Sequence, residues 1–359
     1  MTSLARSQST SVQPQSHKAI LRKALPRFIT ERLGARLRLN GRPLAISHQI
    51  TNRCMCKCQS CLWTHNDWRD VPTEQVKEFY AQAGNKGFAV LAITGGEPFL
   101  RKDLGELVRF AKEKAGMSVI LFTTGYFLEK RMHEVLPWVD VLILSLDSAK
   151  RERHDEIRGL PGLYDRLMSA ARAARTNYPD LSIHLNCCVQ KGVEEEIDDL
   201  VGIAEELGVK ISFDVITEAR NGSDGDAFTS TNAALPLAEL SATCADLGRR
   251  KKQGAPIVNS ERYFDYHAQG QPGYRCHLPK LVLCVDGRGN VEDCLDLNKP
   301  IANIKESSLK EILAKPRMRQ LRCDAEACSS CNSPTMVDLS NIWERPWLLF
   351  ARRGLSLEA

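Results

Sequence analysis

The 359-residue chain predicts an α/β fold, namely a partial (β/α)6 barrel of the TIM type followed by a small, cysteine-rich C-terminal domain. Two observations carry this prediction. Short apolar runs rich in β-branched residues alternate with segments of helical period, and the cysteines gather in two separate places. Strands that are apolar along their whole length are typical of a parallel sheet covered by helices. Six such runs are fewer than the eight strands of a closed barrel, so we expect a partial barrel.

The predicted strands and helices alternate between residues 44 and 215. The strand-like runs cover 44–50, 88–94, 118–124, 139–146, 181–188 and 209–215. The segments of helical period cover 73–85, 103–115, 127–136, 151–176 and 193–207. Residues 219–232 are dense in Gly, Ser, Asp and Asn and predict a loop, after which a helix is expected to about residue 252.

The N-terminal region differs from the rest in composition and charge. Residues 1–17 have almost no apolar content and are expected to form a disordered tail. Residues 18–43 are expected to form a basic amphipathic arm and the start of a hairpin that turns at Asn40-Gly41. Residues 1–42 carry a net charge of +8 and the remainder carries −3, so no nucleic-acid partner is expected for the main body.

Two interpretations of the basic arm are open. Its apolar residues recur at helical spacing among lysines and arginines, and such a segment can bind an anionic lipid surface. The alternative is that this apolar stripe packs on the open edge of the barrel. The apolar residues are Leu21, Leu25, Phe28, Ile29 and Leu33. The N-terminus has no apolar signal segment and the thirteen cysteines fit a reducing compartment, so the expected localisation is cytoplasmic, with peripheral membrane contact as a further expectation.

The first cysteine group lies directly after the first predicted strand. The stretch TNRCMCKCQSC, residues 51–61, places Cys54, Cys58 and Cys61 in the spacing C-x3-C-x2-C, and Cys56 falls off this spacing. Three closely spaced thiolates in a loop can hold three irons of an iron–sulfur cluster and leave the fourth iron open to another ligand. For these cysteines alone, a zinc site completed by His65 is the alternative.

The second predicted strand ends in TGGEPFLRKDL, residues 94–104. Gly95 and Gly96 would let the backbone approach a small ligand closely, and Glu97 supplies a carboxylate at the end of the sheet where parallel-sheet enzymes bind ligands. The alternative is a tight turn from a strand into a helix.

Together these two motifs resemble those of the radical S-adenosylmethionine (radical SAM) superfamily, in which a C-x3-C-x2-C loop follows the first strand and GGEP follows the second. The resemblance places the core barrel at residues 44–218. It implies that Cys54, Cys58 and Cys61 ligate a [4Fe-4S] cluster whose fourth iron is chelated by S-adenosylmethionine, while Cys56 is not a ligand. It further implies cleavage of S-adenosylmethionine to a 5′-deoxyadenosyl radical that abstracts hydrogen from a substrate.

The resemblance also names cofactor-binding positions. These are Gly95, Gly96, Glu97, Ser145, Arg158 and Asn186. For three of them a structural role is the alternative: a helix cap for Ser145, a satisfied strand-end amide for Asn186 and a surface charge for Arg158. The sequence TTG at residues 123–125 departs from the Thr-Asn-Gly that the family usually has after its third strand.

The C-terminal cysteines, within residues 266–335, resemble the SPASM and twitch extensions of radical SAM enzymes. The resemblance implies that Cys276, Cys294, Cys328 and Cys331 hold an auxiliary [4Fe-4S] cluster, and a four-thiolate zinc site is the alternative. Cys323 and Cys284 are left over, and the alternative for Cys323 is that it replaces one of the four ligands. The remaining cysteines are expected to be small buried core residues. They are Cys187, Cys188 and Cys244, and Cys284 is expected to join them.

The structures of three further segments are also predicted. Residues 219–265 are expected to be a linker and a helix, residues 303–322 one amphipathic helical region, and residues 336–359 a C-terminal tail.

The function implied by the resemblance is that of a radical SAM enzyme whose auxiliary cluster assists an oxidation or a bond formation. It would act on a small-molecule or lipid-like substrate and receive electrons from a donor such as flavodoxin or ferredoxin. The alternatives are a maturase of ribosomal peptides from the same superfamily and a non-catalytic zinc or iron–sulfur scaffold. No residue is singled out as a catalytic acid or base.

Overall fold

The computed structural model describes residues 24–26, 28–30, 43–58, 61, 69–216, 219–221, 227–229, 233–294, 299–329 and 331–347. The turn predicted at Asn40-Gly41 and the alternative zinc ligand His65 lie outside these residues. Within them, helices cover a nine-stranded sheet. A separate two-stranded sheet lies in the stretch predicted as a loop.

Six parallel strands form the barrel, and all six were predicted. Each pairs with the next in sequence order, and the sheet stays open, which confirms the partial barrel. The strands are β1 Ala45–Gln49, β2 Val90–Thr94, β3 Ser118–Thr123, β4 Val141–Ser145, β5 Ser182–Val189 and β6 Lys210–Val215.

Six helices connect and cover these strands. They are α1 Thr73–Asn85, α2 Leu104–Glu113, α3 Leu128–Val135, α4 Arg151–Arg158, α5 Leu163–Asn177 and α6 Ile197–Leu207. The single helix predicted over 151–176 is two helices. Gly159 and Gly162 have positive φ angles of 61° and 77°, and this left-handed backbone ends one helix before the next begins.

The main core lies between the sheet and its helices. Alternate residues of each strand point to opposite faces of a sheet. The residues on the outer face pack against the helices in one buried apolar cluster that includes Leu91, Leu121, Leu144 and Phe213. The residues between them face the inside of the barrel.

Three strands of the C-terminal part continue the same sheet. Its elements are β7 Ala219–Asn221, β8 Ala227–Thr229, α7 Leu237–Lys252, α8 Glu261–Ala268, α9 Leu278–Leu281, β9 Val282–Val285, β10 Asn290–Glu292, β11 Pro300–Asn303, α10 Leu309–Ala314, α11 Pro316–Glu326 and α12 Pro334–Glu344. Strand β9 pairs in parallel with β1, from Ala45 opposite Val282 to His48 opposite Val285. Pro316 divides the region predicted as one helix over 303–322, because a proline disfavours the helical conformation of the residue before it.

A second apolar cluster joins the two ends of the chain. Phe28 is buried in it, and its ring meets that of Trp343 edge to face at 5.8 Å. Residues 336–344, within the predicted C-terminal tail, belong to α12, which supplies Trp343. The packing of Phe28 favours the interpretation in which the arm packs on the protein. None of the helices among the described residues is long and apolar enough to cross a membrane.

Candidate active site at the carboxyl end of the barrel

The first cysteine group lies in a loop that leaves the end of β1. Cys54, Cys58 and Cys61 are half-buried, and Cys56 is buried. A hydrogen bond from the Cys56 thiol lowers the pKa of Cys54, against the opposing effect of burial. The same kind of bond, aided by the nearby charge of Arg158, lowers the pKa of Cys58 to about 6. Cys54 and Cys58, the two predicted ligands that flank Cys56, therefore favour the thiolate form, which is the form that binds iron.

Gly95 and Gly96 follow β2 and bring the GGEP motif against the cysteine loop. The main-chain N–H of Gly96 donates to the carbonyl oxygen of Thr51 at 2.8 Å, and the N–H of Glu97 donates to that of Arg53 at 2.8 Å. A Cβ atom on Gly96 would overlap the carbonyl oxygen of Arg53. The glycines thus permit close approach of two protein segments, in addition to any approach of a ligand expected from the sequence.

Glu97 is fully buried, and its carboxylate accepts four hydrogen bonds from protein groups. The donors are the N–H of Phe99 at 3.0 Å, the hydroxyl of Thr123 at 2.7 Å, and the N–H and hydroxyl of Thr124 at 2.8 Å and 2.7 Å. These bonds tie the end of β2 to the end of β3. The cofactor contact expected of Glu97 stays a prediction, whereas its positioning role is visible here.

Arg101, which is not among the predicted site residues, anchors the two ends of the segment that contains the cysteine loop. Its guanidinium is buried and donates to the carbonyl oxygens of Ile50 at 3.0 Å and Val71 at 2.8 Å. The same group pairs with both carboxylate oxygens of Asp103, each at 2.9 Å. The Arg-x-Asp spacing directly after GGEP was the available signal, because an arginine with a carboxylate two residues away can form such a bidentate pair.

Arg158 contacts the cysteine loop and is paired with Asp147. The Arg158 side chain is 14% exposed, and its Nε lies 2.6 Å from Asp147 Oδ2, so it is not the surface charge considered as an alternative. The carbonyl oxygen of Arg158 accepts from the N–H of Lys57 at 2.9 Å. Asp147 Oδ1 accepts from the N–H of Cys188 at 3.0 Å. The end of α4 therefore holds the cysteine loop, and the cofactor contact expected of Arg158 stays a prediction.

Ser145 and Asn186, two of the expected cofactor-binding residues, come together on the inner face of the barrel. They are direct partners in the register of β4 and β5, and both are half-buried. Ser212 of β6 continues this row and donates its hydroxyl to Asn186 Oδ1. Cys188 also lies on this face and is half-buried, so the expectation that it is a core residue was wrong, unlike that for its neighbour Cys187.

The C-terminal cysteines lie next to the strands added to β1. Cys276 precedes α9, Cys294 follows β10, and Cys328 and Cys331 follow α11. The pKa of Tyr274 is raised by burial and by the nearby Cys331 and Cys276 thiols, so this tyrosine lies beside both. Tyr266 accepts the N–H of Cys331 at 3.1 Å, and its ring centroid lies 5.5 Å from that of Tyr274.

The remaining cysteines differ in burial. Cys284 is buried in the second apolar cluster, as expected. Cys323 and Cys328 are exposed on or just after α11.

The donor chemistry at the first cysteine group fits an iron–sulfur cluster with a polar ligand. In the part of the chain that the structure describes, no three His, Cys, Asp or Glu side chains converge closely enough to hold a metal ion. The sulfur donors nevertheless share one loop, and buried polar atoms beside it have no protein partner. These atoms are Oδ1 and Nδ2 of Asn52 and Oε1 of Gln49. A polar group bound next to the cysteines would satisfy them.

Comparison with known proteins supports the same interpretation. Residues 48–204 match the model of the radical SAM superfamily, and residues 276–332 match the model of the SPASM iron–sulfur cluster-binding domain. The "AdoMet-dependent heme synthase" of Methanosarcina barkeri is 26% identical over 82% of this chain and 88% of its own length. The "PqqA peptide cyclase" of Rhizobium meliloti is 27% identical over 75% of this chain and 73% of its own length.

A solved structure shares the fold. SuiB of Streptococcus suis, determined with the precursor peptide SuiA, superimposes with a TM-score of 0.65 at 19% identity. The match covers 84% of this chain and 70% of that chain. A radical SAM domain binds a [4Fe-4S] cluster and S-adenosylmethionine, and a SPASM domain binds auxiliary iron–sulfur clusters. From its motifs, its fold and both domain matches, this chain belongs to the radical SAM superfamily and is an enzyme with a C-terminal SPASM domain.

Proposed function

We propose that this enzyme removes a hydrogen atom from a C–H bond of a small molecule held inside the barrel, and that the auxiliary cluster accepts the electron left on the substrate. The overall change in the substrate is then an oxidation or the formation of a new bond. The non-catalytic scaffold considered from the sequence is set aside, because the chain is an enzyme of this superfamily.

The continuous sheet carries this proposal. Strand β9, between Cys276 and Cys294, lies directly beside β1, and β1 leads into the cysteine loop. The turn that follows β9 touches this loop, since a Cβ atom on Gly287 would overlap Asn52 Oδ1. The two cysteine groups flank neighbouring strands of one sheet, the first after β1 and the second around β9 and β10, and this connection suits an electron transfer that ends in the C-terminal domain.

The expected ligands have different roles. Cys54, Cys58 and Cys61 would hold the [4Fe-4S] cluster, and the row of Ser145 and Asn186 would orient S-adenosylmethionine from the inner face of the barrel. When bound, the cluster and S-adenosylmethionine supply the 5′-deoxyadenosyl radical that accepts the hydrogen atom. The protein orients the substrate and excludes water from the site.

The C-terminal ligand set is proposed in the same way. Cys276, Cys294, Cys328 and Cys331 would hold the auxiliary cluster. The proximity of Cys276 and Cys331 to Tyr274 supports their membership of one site.

A peptide substrate is the second candidate function. The similarity to a PqqA peptide cyclase over 73% of that protein's length favours it. The heme synthase, matched over 88% of its own length, favours a small molecule instead. Peripheral membrane contact is not part of the proposal, because Phe28 is buried against the protein.

The test is a product analysis with anaerobically reconstituted enzyme, S-adenosylmethionine and a chemical or flavodoxin reductant. We expect 5′-deoxyadenosine from the wild type and none from Cys58→Ala. A small-molecule pool and a peptide pool prepared from the host are then compared for their ability to increase 5′-deoxyadenosine formation. Stimulation by the peptide pool alone would replace the first candidate by the second, and wild-type enzyme that forms no 5′-deoxyadenosine would contradict both.

A further inference from the structure

The turn that leads from the GGEP motif into α2 consists of residues 98–102. It begins with a short 3₁₀ helix, Pro98–Leu100. Phe99 and Arg101 are each 3% exposed, so the main chain of this turn is largely withdrawn from water. Buried carbonyl oxygens are costly when they stay unpaired. Because the turn lies outside the sheet, partners for its carbonyl oxygens have to come from another element.

Arg131 of α3 supplies these partners. Its guanidinium Nη1 donates to the carbonyl oxygens of Phe99 at 2.7 Å and Arg101 at 3.0 Å, and Nη2 donates to that of Lys102 at 2.9 Å. Glu134 of the same helix accepts from Nε at 3.1 Å and from Nη2 at 3.0 Å, and these bonds hold the guanidinium in its orientation. One planar group, 17% exposed as a side chain, thus binds the whole turn.

The turn held by Arg131 is connected to the cysteine loop through Glu97. The N–H of Phe99 donates to the Glu97 carboxylate at 3.0 Å, so Phe99 is held at its N–H by one group and at its carbonyl oxygen by another. The main-chain N–H of Glu97 in turn donates to the carbonyl oxygen of Arg53 at 2.8 Å, directly before Cys54. A displacement of the turn would therefore be transmitted to Glu97 and to the cysteine loop.

We propose that Arg131 is a positioning residue for the binding of S-adenosylmethionine. It fixes the turn after GGEP and, through this turn, the expected cofactor contacts of Gly95, Gly96 and Glu97. This inference rests on the proposed function, since it assumes that S-adenosylmethionine binds beside the cysteine loop. Arg131 lies on a helix that covers the sheet, so it acts through the turn and does not touch the cofactor.

The charge of Arg131 by itself would act in the opposite direction. S-adenosylmethionine has a net positive charge, because its sulfonium adds to an amino and a carboxylate group that cancel, and a nearby guanidinium repels it. Removal of that guanidinium would then strengthen binding. Loss of the hydrogen bonds weakens binding instead, because the turn occupies its binding-competent geometry for a smaller fraction of the time. The sign of the effect therefore separates positioning from charge.

The test is the affinity of the reconstituted, unreduced holoenzyme for S-adenosylmethionine, measured by equilibrium dialysis with labelled S-adenosylmethionine. We expect Arg131→Gln to raise the dissociation constant about tenfold, with the iron content of the wild type. Arg131→Lys keeps the charge, but one ammonium group cannot span three carbonyl oxygens as the guanidinium does. This variant should restore only part of the affinity, and full restoration would overturn the inference.

The matched control is Arg109→Gln on the neighbouring helix α2. Arg109 donates to Glu113 of its own helix at 2.9 Å and lies 5.2 Å from the ring centroid of Trp138, much as Arg131 lies 6.0 Å from that of Phe99. Among the residues that the structure describes, however, its guanidinium binds no main-chain carbonyl oxygen. The control should keep the dissociation constant of the wild type.

Amide hydrogen exchange of residues 97–102 provides a second measurement on the same holoenzyme without S-adenosylmethionine. Exchange should be faster in Arg131→Gln than in the wild type and unchanged in Arg109→Gln, because only the first variant loses the bonds to the turn. Equal dissociation constants for Arg131→Gln and the wild type would overturn the inference, even for a variant that unfolds more readily. An equal loss of affinity in Arg109→Gln would overturn it as well.

The cleavage of S-adenosylmethionine, measured on the same preparations, separates these outcomes from the proposed function. A wild type that forms 5′-deoxyadenosine, together with an unchanged affinity in Arg131→Gln, contradicts the positioning role alone. A wild type that forms no 5′-deoxyadenosine contradicts the proposed function.

Discussion

The two cysteine regions of this enzyme are supported in different ways. The loop at residues 51–58 is held by main-chain bonds to Gly96 and Glu97 and by the carbonyl of Arg158. The C-terminal cysteines lie at the ends of short elements, and Cys328 is exposed. The comparison teaches that barrel packing shapes the first region before any cluster is bound. The second region is expected to gain more of its order from its cluster, as metal sites on small elements usually do.

The largest expected effect distinguishes the cysteines within the first region. Cys58→Ala should abolish the cleavage of S-adenosylmethionine, because an iron loses its protein ligand. Cys56→Ala should retain cleavage, because this thiol is off the ligand spacing and only donates to its neighbours. The measurement is 5′-deoxyadenosine formed per enzyme. Full cleavage by Cys58→Ala, or none by Cys56→Ala, would contradict the ligand assignment.

The second prediction separates the two regions by iron content. Two [4Fe-4S] clusters correspond to ~8 irons per chain after anaerobic reconstitution, and the Cys328→Ala, Cys331→Ala double variant should hold ~4. The remaining cluster should still respond spectroscopically to S-adenosylmethionine, because the barrel loop is supported independently. One zinc with ~4 irons in the wild type would instead identify a structural zinc site in the C-terminal domain.

The third prediction tests whether packing shapes the barrel loop. Gly96→Ala introduces a Cβ atom that overlaps the carbonyl oxygen of Arg53, and it should lower the free energy of unfolding by about 1–3 kcal/mol. Gly202→Ala is the matched control, because a Cβ atom there meets nothing within 4 Å. In the interior of α6 this control should be neutral or stabilising by up to ~1 kcal/mol. Equal midpoints of denaturant unfolding for both variants would show that the close approach of Gly96 to the carbonyl oxygen of Arg53 is unimportant for stability.

The smallest expected effect concerns acid stability in the C-terminal half. Burial lowers the pKa of His267 in α8 from 6.5 to about 4. The folded state therefore keeps this ring neutral, and its contribution to stability is present above pH 6.5 and is lost as the pH falls toward 4. Between pH 7 and pH 5 we expect a loss of about 1–2 kcal/mol, which His267→Gln should remove.

The control for this pH dependence is His133→Gln, a change at an exposed histidine of α3. It should leave the slope of stability against pH as it is in the wild type. If His267→Gln keeps that slope too, His267 is not the group that titrates.

Much of the barrel was predictable, because its signals are local. The apolar period of each strand and the C-x3-C-x2-C and GGEP motifs are read within short windows, and all six strands appeared where they were expected. The break between α4 and α5 was missed although Gly159 and Gly162 are visible in the sequence, because a glycine reveals its positive φ only in the folded chain.

The sequence by itself determined the fold class, the family and the two cysteine groups, since these depend on residue type and on spacing along the chain. Only the tertiary structure decided that β9 lies beside β1, that Arg101 and Arg158 support the cysteine loop, and that Glu97 is fully satisfied by protein donors. It also decided which side of each strand faces the inside of the barrel. These facts depend on contacts between residues far apart in the chain. Such contacts are fixed only when the whole sheet has formed, because apolar groups are then buried and buried polar groups must find partners.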